Sequence, residues 1–112
     1  MKGKRDNTDY INDILNSINE IQEFTKNLDF ESFFKDMRTR HAVVRCLEIL
    51  GEAAKNITLE LKEKNPEIPW KKMAGMRDIL AHEYFGIDIK KVWEVKEKEL
   101  PELKSLIQNL LK

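Results

Sequence analysis

The chain has 112 residues, 41% hydrophobic and 36% charged, which suits one compact domain over 1–112 and leaves no room for a second. Twenty basic residues balance twenty acidic ones, so no gross positive field exists to hold long nucleic acid, and any RNA contact must come from a local patch. The lone Cys46 cannot pair internally and suits a reducing cytoplasm, while the lack of a run of about 18 apolar residues and of an apolar core behind Met1-Lys2-Gly3-Lys4-Arg5 disfavours membrane insertion and export.

From Tyr10 to Leu28 the apolar positions Ile11, Ile14, Ile18, Ile21 and Leu28 recur at helical steps, which predicts an amphipathic helix capped by Asn7 or Thr8. Asp29-Phe30-Glu31-Ser32-Phe33-Phe34 reads as a short turn or helix, with Phe33 and Phe34 expected to be buried. A long central helix is predicted from about Arg38 to Lys64, with Val43, Leu47, Leu50, Ala54, Ile57 and Leu61 on one face. Gly51 in its middle costs about 1 kcal/mol of helix propensity, which a close approach by a neighbouring helix would offset. Asn65-Pro66-Glu67-Ile68-Pro69 must end that helix, because proline lacks an amide donor and disfavours helix in the residue before it.

A third helical stretch follows Trp70 with Met73, Met76, Ile79 and Leu80, and Gly86 is its expected terminator. Asp88 is placed to cap the last segment, in which Pro101 either kinks the helix or opens a new one at its first turn. Leu103, Leu106, Ile107 and Leu110 continue the apolar stripe. No stretch alternates like a strand, so the fold class expected is an all-α antiparallel bundle of four to five helices with short connections.

Phosphate-binding glycine loops, His-Glu-x-x-His and paired cysteines are all absent. With two histidines and one cysteine, no protein metal site and no cofactor are expected. The segment with chemical potential is Met76-Arg77-Asp78-Ile79-Leu80-Ala81-His82-Glu83-Tyr84. A histidine can take a proton from a ribose 2′-hydroxyl or give one to a leaving oxygen. An arginine fork can hold two phosphate oxygens as charge grows on them. At about 100° per residue, His82 lies roughly 140° around a straight helix from Arg77, so either the helix loosens before His82 or a second subunit completes the cleft. The competing reading of Arg77 and His82 is a helix-end ion-pair cluster with Asp78 and Glu83. For Tyr84 it is an aromatic anchor at the edge of the core or of an interface. Arg38, Arg40, His41 and Arg45 form a second basic cluster that either extends an RNA groove or is a solvated face, and Glu48 and Glu52 share one helix face, available to arginines across a dimer.

Beyond these local signals, the chain from about Arg5 to its end resembles the HepT-like family of HEPN-domain proteins, ribonuclease toxins of toxin–antitoxin pairs. The resemblance rests on Asp9-Tyr10-Ile11-Asn12-Asp13-Ile14, the run from Arg45 to Ala54, Ile68-Pro69-Trp70, the run from Met76 to Tyr84, Val92-Trp93 and Leu100-Pro101, in that order and spacing. Arg77, Asp78 and His82 fit the family's signature of an arginine, a polar residue and a histidine. The resemblance implies a homodimeric, metal-independent endoribonuclease with Arg77 and His82 of two protomers around one cleft. It also implies a minimal nucleotidyltransferase antitoxin as partner, which attaches AMP to the tyrosine two places after the histidine, here Tyr84. The alternative is a non-catalytic module that binds a nucleotide or that partner.

Overall fold

In the computed structural model the residues described are 5–82 and 88–112 for the backbone, and 5–76 and 88–112 for the side chains. The first helix, α1, spans Asn7–Phe24. Its cap is Asp6, one residue ahead of the Asn7 or Thr8 expected. The Asp6 carboxylate accepts from the Asp9 amide at 3.1 Å while the Asp9 carboxylate accepts from the Asp6 amide at 3.0 Å, a reciprocal box that satisfies two otherwise unpaired donors. Asn7 is thereby free for a different task. Its side-chain amide donates to Thr58 Oγ1 at 2.9 Å, and its carbonyl oxygen accepts from the Thr58 amide at 3.0 Å.

The helix stops at Phe24 and does not reach Leu28. The buried Thr25 hydroxyl donates back to the Ile21 carbonyl at 2.7 Å, and Asn27 adopts a φ of 66°, the left-handed conformation that asparagine tolerates better than most residues. Asp29 then caps α2, Phe30–Lys35. Phe33 is fully buried, but Phe34 is 51% exposed, contrary to the expectation that both rings enter the core. Neighbouring helical residues point about 100° apart, so a two-turn helix lying on the core buries one of them. The Phe34 ring is covered from outside by the Arg40 guanidinium, 5.3 Å from its centre.

The long central helix also differs from expectation, being broken near its end. Helix α3 spans Met37–Asn56 and α4 spans Leu59–Lys64. Ile57 and Thr58 between them have extended backbone. Thr58 leaves the helix because its hydroxyl caps the Leu61 amide at 3.3 Å and its own amide is held by Asn7. Asn65 and Pro66 end α4 as expected. Helix α5 spans Trp70–His82, and α6 spans Ile89–Glu94 with Asp88 as its cap, accepting from the Lys91 amide at 3.2 Å. The expected terminator Gly86 lies outside the described residues.

Val95–Glu99 forms a π-helical turn that runs into α7, Leu100–Asn109. The Leu100 amide reaches the Val95 carbonyl, five residues back. A five-residue step also separates the buried Val95 from the buried Leu100, where an α-helix would repeat at three or four. The wider turn absorbs the surplus residue, so Ile89, Val92 and Val95 before it and Leu100, Leu103 and Ile107 after it all face the core. Pro101 sits in the first turn of α7, immediately after the π turn.

Among the described residues there is no strand, so the class is all-α as expected, but the described residues form seven α-helices instead of four to five, since 30–35 is a helix of its own, the central helix breaks at Ile57 and Thr58, and a π turn divides the last segment. Helix α3 packs against α1 on one side and α5 on the other. Helices α1 and α3 run antiparallel, since the start of α1 is bonded to Thr58 beyond the end of α3, while Glu20 late in α1 meets Cys46 in the middle of α3. Gly51, Ala53 and Ala54 are all buried on α3, and side chains this small let neighbouring backbones approach. Ile14, Ile18, Ile21, Leu50, Met73, Leu100 and Ile107 form the fully buried centre.

Candidate functional site

Arg77, Asp78 and His82 all fall on α5, whose start is rigidly set. The Trp70 indole donates to the Asn65 carbonyl at 3.0 Å, and the Asn65 side chain donates to Leu61 at 3.0 Å. These bonds fold the 65–69 connection against the end of α4. Trp70 is nearly buried and Met73 fully so, which anchors the first turn of α5 in the core. Farther out, Lys72 forms an ion pair with Glu99 of the π turn. Depressions of about 230 Å³ and 120 Å³ lie beside that pair, both lined in part by Lys72, Met76 and Glu99.

The helix continues without a break through His82, so it does not loosen before the histidine as one of the expectations held. On a regular helix positions 77 and 82 stand about 7.5 Å apart along the axis and about 140° apart around it. One protomer therefore presents the two positions in different directions. The side chains of Arg77, Asp78 and His82, and all of Tyr84, lie outside the described residues.

The second basic cluster divides. Arg40 is tied to the end of α2, its Nη1 donating to the Phe34 carbonyl at 3.0 Å and its guanidinium lying over the exposed Phe34 ring. Arg38, His41 and Arg45 are exposed. Arg45 opens onto a polar cavity of about 350 Å³ between α3 and the start of α1, which Arg5, Tyr10, Asp13, Glu48 and Glu52 also line. Arg5 pairs with Asp13 at 2.5 Å, and its guanidinium lies 4.9 Å from the centre of the Tyr10 ring. The cue in the sequence for this α1 contribution is Tyr10 and Asp13, three apart on the half-buried flank of the Ile11–Ile14 stripe.

Cys46 is set apart from any chemistry. It is 4% exposed, and burial, with the Glu20 carboxylate 3.6 Å away, pushes its thiol up to about 11. A neutral buried thiol is a poor nucleophile, so Cys46 serves as a small core residue, as its place in the helical pattern implies. Trp93 likewise belongs to an aromatic cluster, 5.0 Å from Phe33 and 6.2 Å from Phe30 by ring centres, with the Lys96 ammonium 4.1 Å from its ring. Among the described residues no group of three or more His, Cys, Asp or Glu side chains is arranged to hold a metal, and no helix is long and apolar enough to cross a membrane.

The family model "Ribonuclease HepT-like" matches residues 14–110. A protein of Thermococcus cleftensis named "Probable ribonuclease HepT" is 47% identical over 109 residues, 97% of this chain and 99% of its own length. A Methanocaldococcus jannaschii protein named a "Putative RNase" is 46% identical over 97% of this chain and 90% of its own. One of Caldanaerobacter subterraneus with the same description is 45% identical over 91% of each. No solved structure matches this chain significantly.

Proposed function

The chain belongs to the HepT-like ribonuclease family, and from that premise we propose that it is a metal-independent endoribonuclease acting as a homodimer, its 112 residues forming one HEPN-like helical domain. The observation that carries this reading is near full-length similarity to proteins named as ribonucleases, with an arginine and a histidine five residues apart on one helix. The angular separation of positions 77 and 82 supports the dimer, because two copies related by a two-fold axis can bring Arg77 of one toward His82 of the other.

In the proposed reaction an imidazole at His82 accepts the proton of a ribose 2′-hydroxyl. The freed oxygen attacks the adjacent phosphorus, the bond to the 5′-oxygen breaks, and that oxygen leaves with a proton from the second imidazole. The products are a cyclic phosphate and a 5′-hydroxyl. Arg77 holds the non-bridging oxygens as their charge grows, and Asp78 orients Arg77. Single-stranded or looped RNA is the favoured substrate, since its unstacked bases are accessible to protein and its 2′-hydroxyl can rotate into line with the leaving oxygen. His82→Ala should keep fold and dimer and lose cleavage in a chelator-containing buffer. Undiminished cleavage by that variant would overturn the assignment.

The proposal extends to a toxin–antitoxin pairing in which a nucleotidyltransferase places AMP on Tyr84. A bulky anion beside the cleft would exclude RNA by size and by charge. Intact mass after incubation with such a transferase and ATP should rise by AMP increments, and Tyr84→Phe should abolish them. The zero net charge favours a second reading, a non-catalytic module that binds a nucleotide or the transferase. Tight transferase binding with no RNA products from the unmodified protein would select it.

A further inference from the structure

We infer that the groove along α5, where it faces the π turn and α7, is a docking site for an amphipathic helix of another protein, with an apolar stripe and a basic last turn. Its apolar side chains seat in the two depressions that flank the Lys72–Glu99 pair. The inference uses neither Arg77 nor His82, so it stands or falls apart from the nuclease reading. Around α5, Met76 points about 100° from position 77 on one side and about 120° from position 82 on the other. The groove therefore faces away from the cleft proposed above.

Its floor is apolar. In the larger depression, of about 230 Å³, the buried Met73 and Leu103 form the bottom and the half-buried Met76 and Leu106 the walls. The smaller, of about 120 Å³, is walled by Leu47, Val92 and Val95, with Met76 common to both. Two of the four methionines thus line this one surface, and methionine side chains adapt to varied apolar guests. The π turn contributes Val95 and Glu99 to the groove, and turns of this kind recur at functional sites.

The rim selects the occupant. Glu67, Glu99 and Glu102 edge the larger depression. Glu99 is held by Lys72, but among the described residues Glu67 and Glu102 have no salt-bridge partner, although Lys98 stands four residues ahead of Glu102. Lys91 edges the smaller depression and is likewise unpaired among them. A helix whose last turn is basic and whose first turn carries a carboxylate matches both ends, and that order suits its own macrodipole. The walls are themselves helical, so an extended segment would find few backbone groups left to pair with. A helix brings its own bonds and presents apolar side chains three and four apart. RNA is disfavoured, because its phosphates would meet the carboxylates of the larger depression. The Lys72–Glu99 pair is no barrier, since Lys72 is 58% exposed and an exposed pair contributes little; an incoming cation can take Glu99 in its place.

The test uses the full chain, labelled with carbon-13 at its methionine methyl groups, and a synthetic capped helix of about 15 residues with an acidic first turn, a leucine stripe and an arginine-rich last turn. Titration should shift the Met73 and Met76 methyl signals and leave in place that of Met37, which is exposed at the start of α3. E67K/E102K, at two exposed positions, should weaken binding at least tenfold by fluorescence anisotropy at low salt. A peptide with glutamate in place of arginine should bind that variant better than it binds the wild type. Circular dichroism checks the fold of the variant, and E67Q/E102Q, with a smaller loss expected, takes its place if it does not fold. The inference is overturned if neither peptide binds at millimolar concentration, if both bind the wild type equally, if Met37 moves while Met73 and Met76 do not, or if charge reversal has no effect. A single-stranded RNA that shifts Met73 and Met76 and displaces the peptide would overturn it too, giving the groove to substrate. Absence of RNA cleavage by the wild type, by contrast, would bear on the proposed function alone.

Discussion

Phe33 and Phe34 are adjacent and chemically identical, yet one is fully buried and the other half exposed. Composition at the residue scale cannot separate them; what does is the rotation of a short helix against the core and an arginine from the next helix. Phe33 packs against Trp93 and closes the α2–α6 contact. Phe33→Ala should therefore cost about 3–5 kcal/mol of unfolding free energy, measured by urea titration, whereas Phe34→Ala should cost far less. Cys46 gives a pH signature. Its pKa rises on folding from 9.0 to about 11, so the folded state holds the thiol proton more tightly than the unfolded chain does. That contribution to stability is fully present below about pH 9 and is lost as the pH climbs toward 11. Urea titrations of wild type and Cys46→Ala across this window should show the steeper decline in wild type. Equal slopes would show that the thiol does not titrate differently on folding.

Among the elements, the amphipathic periods of α1, α3 and α7 were legible because each repeats its apolar step over several turns. The ends were less so. Apolar periodicity runs on through Ile57 to Leu61, but the helix breaks there because Thr58 is captured by Asn7, a residue 51 positions away. No local pattern encodes a bond that exists only after α1 and α3 have docked. The two Asn7–Thr58 bonds tie the start of α1 to the α3–α4 junction. Asn7→Ala and Thr58→Ala should each destabilise by about 1 kcal/mol, and a double-mutant cycle should give a coupling above about 0.5 kcal/mol. Additive losses would mean that the clasp contributes nothing beyond its separate caps. Family resemblance made the α5 signature legible, since Arg77, Asp78 and His82 stand at the spacing it requires. Helical geometry then adds what the motif cannot, that the two positions diverge on one helix.

For the whole molecule, a net charge of zero conceals a segregated surface. Arg38 and Arg45 are offset by Glu48 and Glu52 on the same helix. The π turn has a related consequence at this scale, because it makes chain length count one residue at a time. Removing Lys98 would take out the surplus residue: Val95 and Leu100 would stand four apart, a step that an ordinary helix closes on one face, so Leu103 and Ile107 would still point at the core. What changes is the setting of Pro101, which would then stand inside a regular helix with its ring against the carbonyl four residues back and no amide to donate, at a cost of about 3 kcal/mol. The shortened protein should therefore keep its helical spectrum and its core yet melt below wild type in a thermal scan, and Pro101→Ala in the shortened chain should restore the melting temperature.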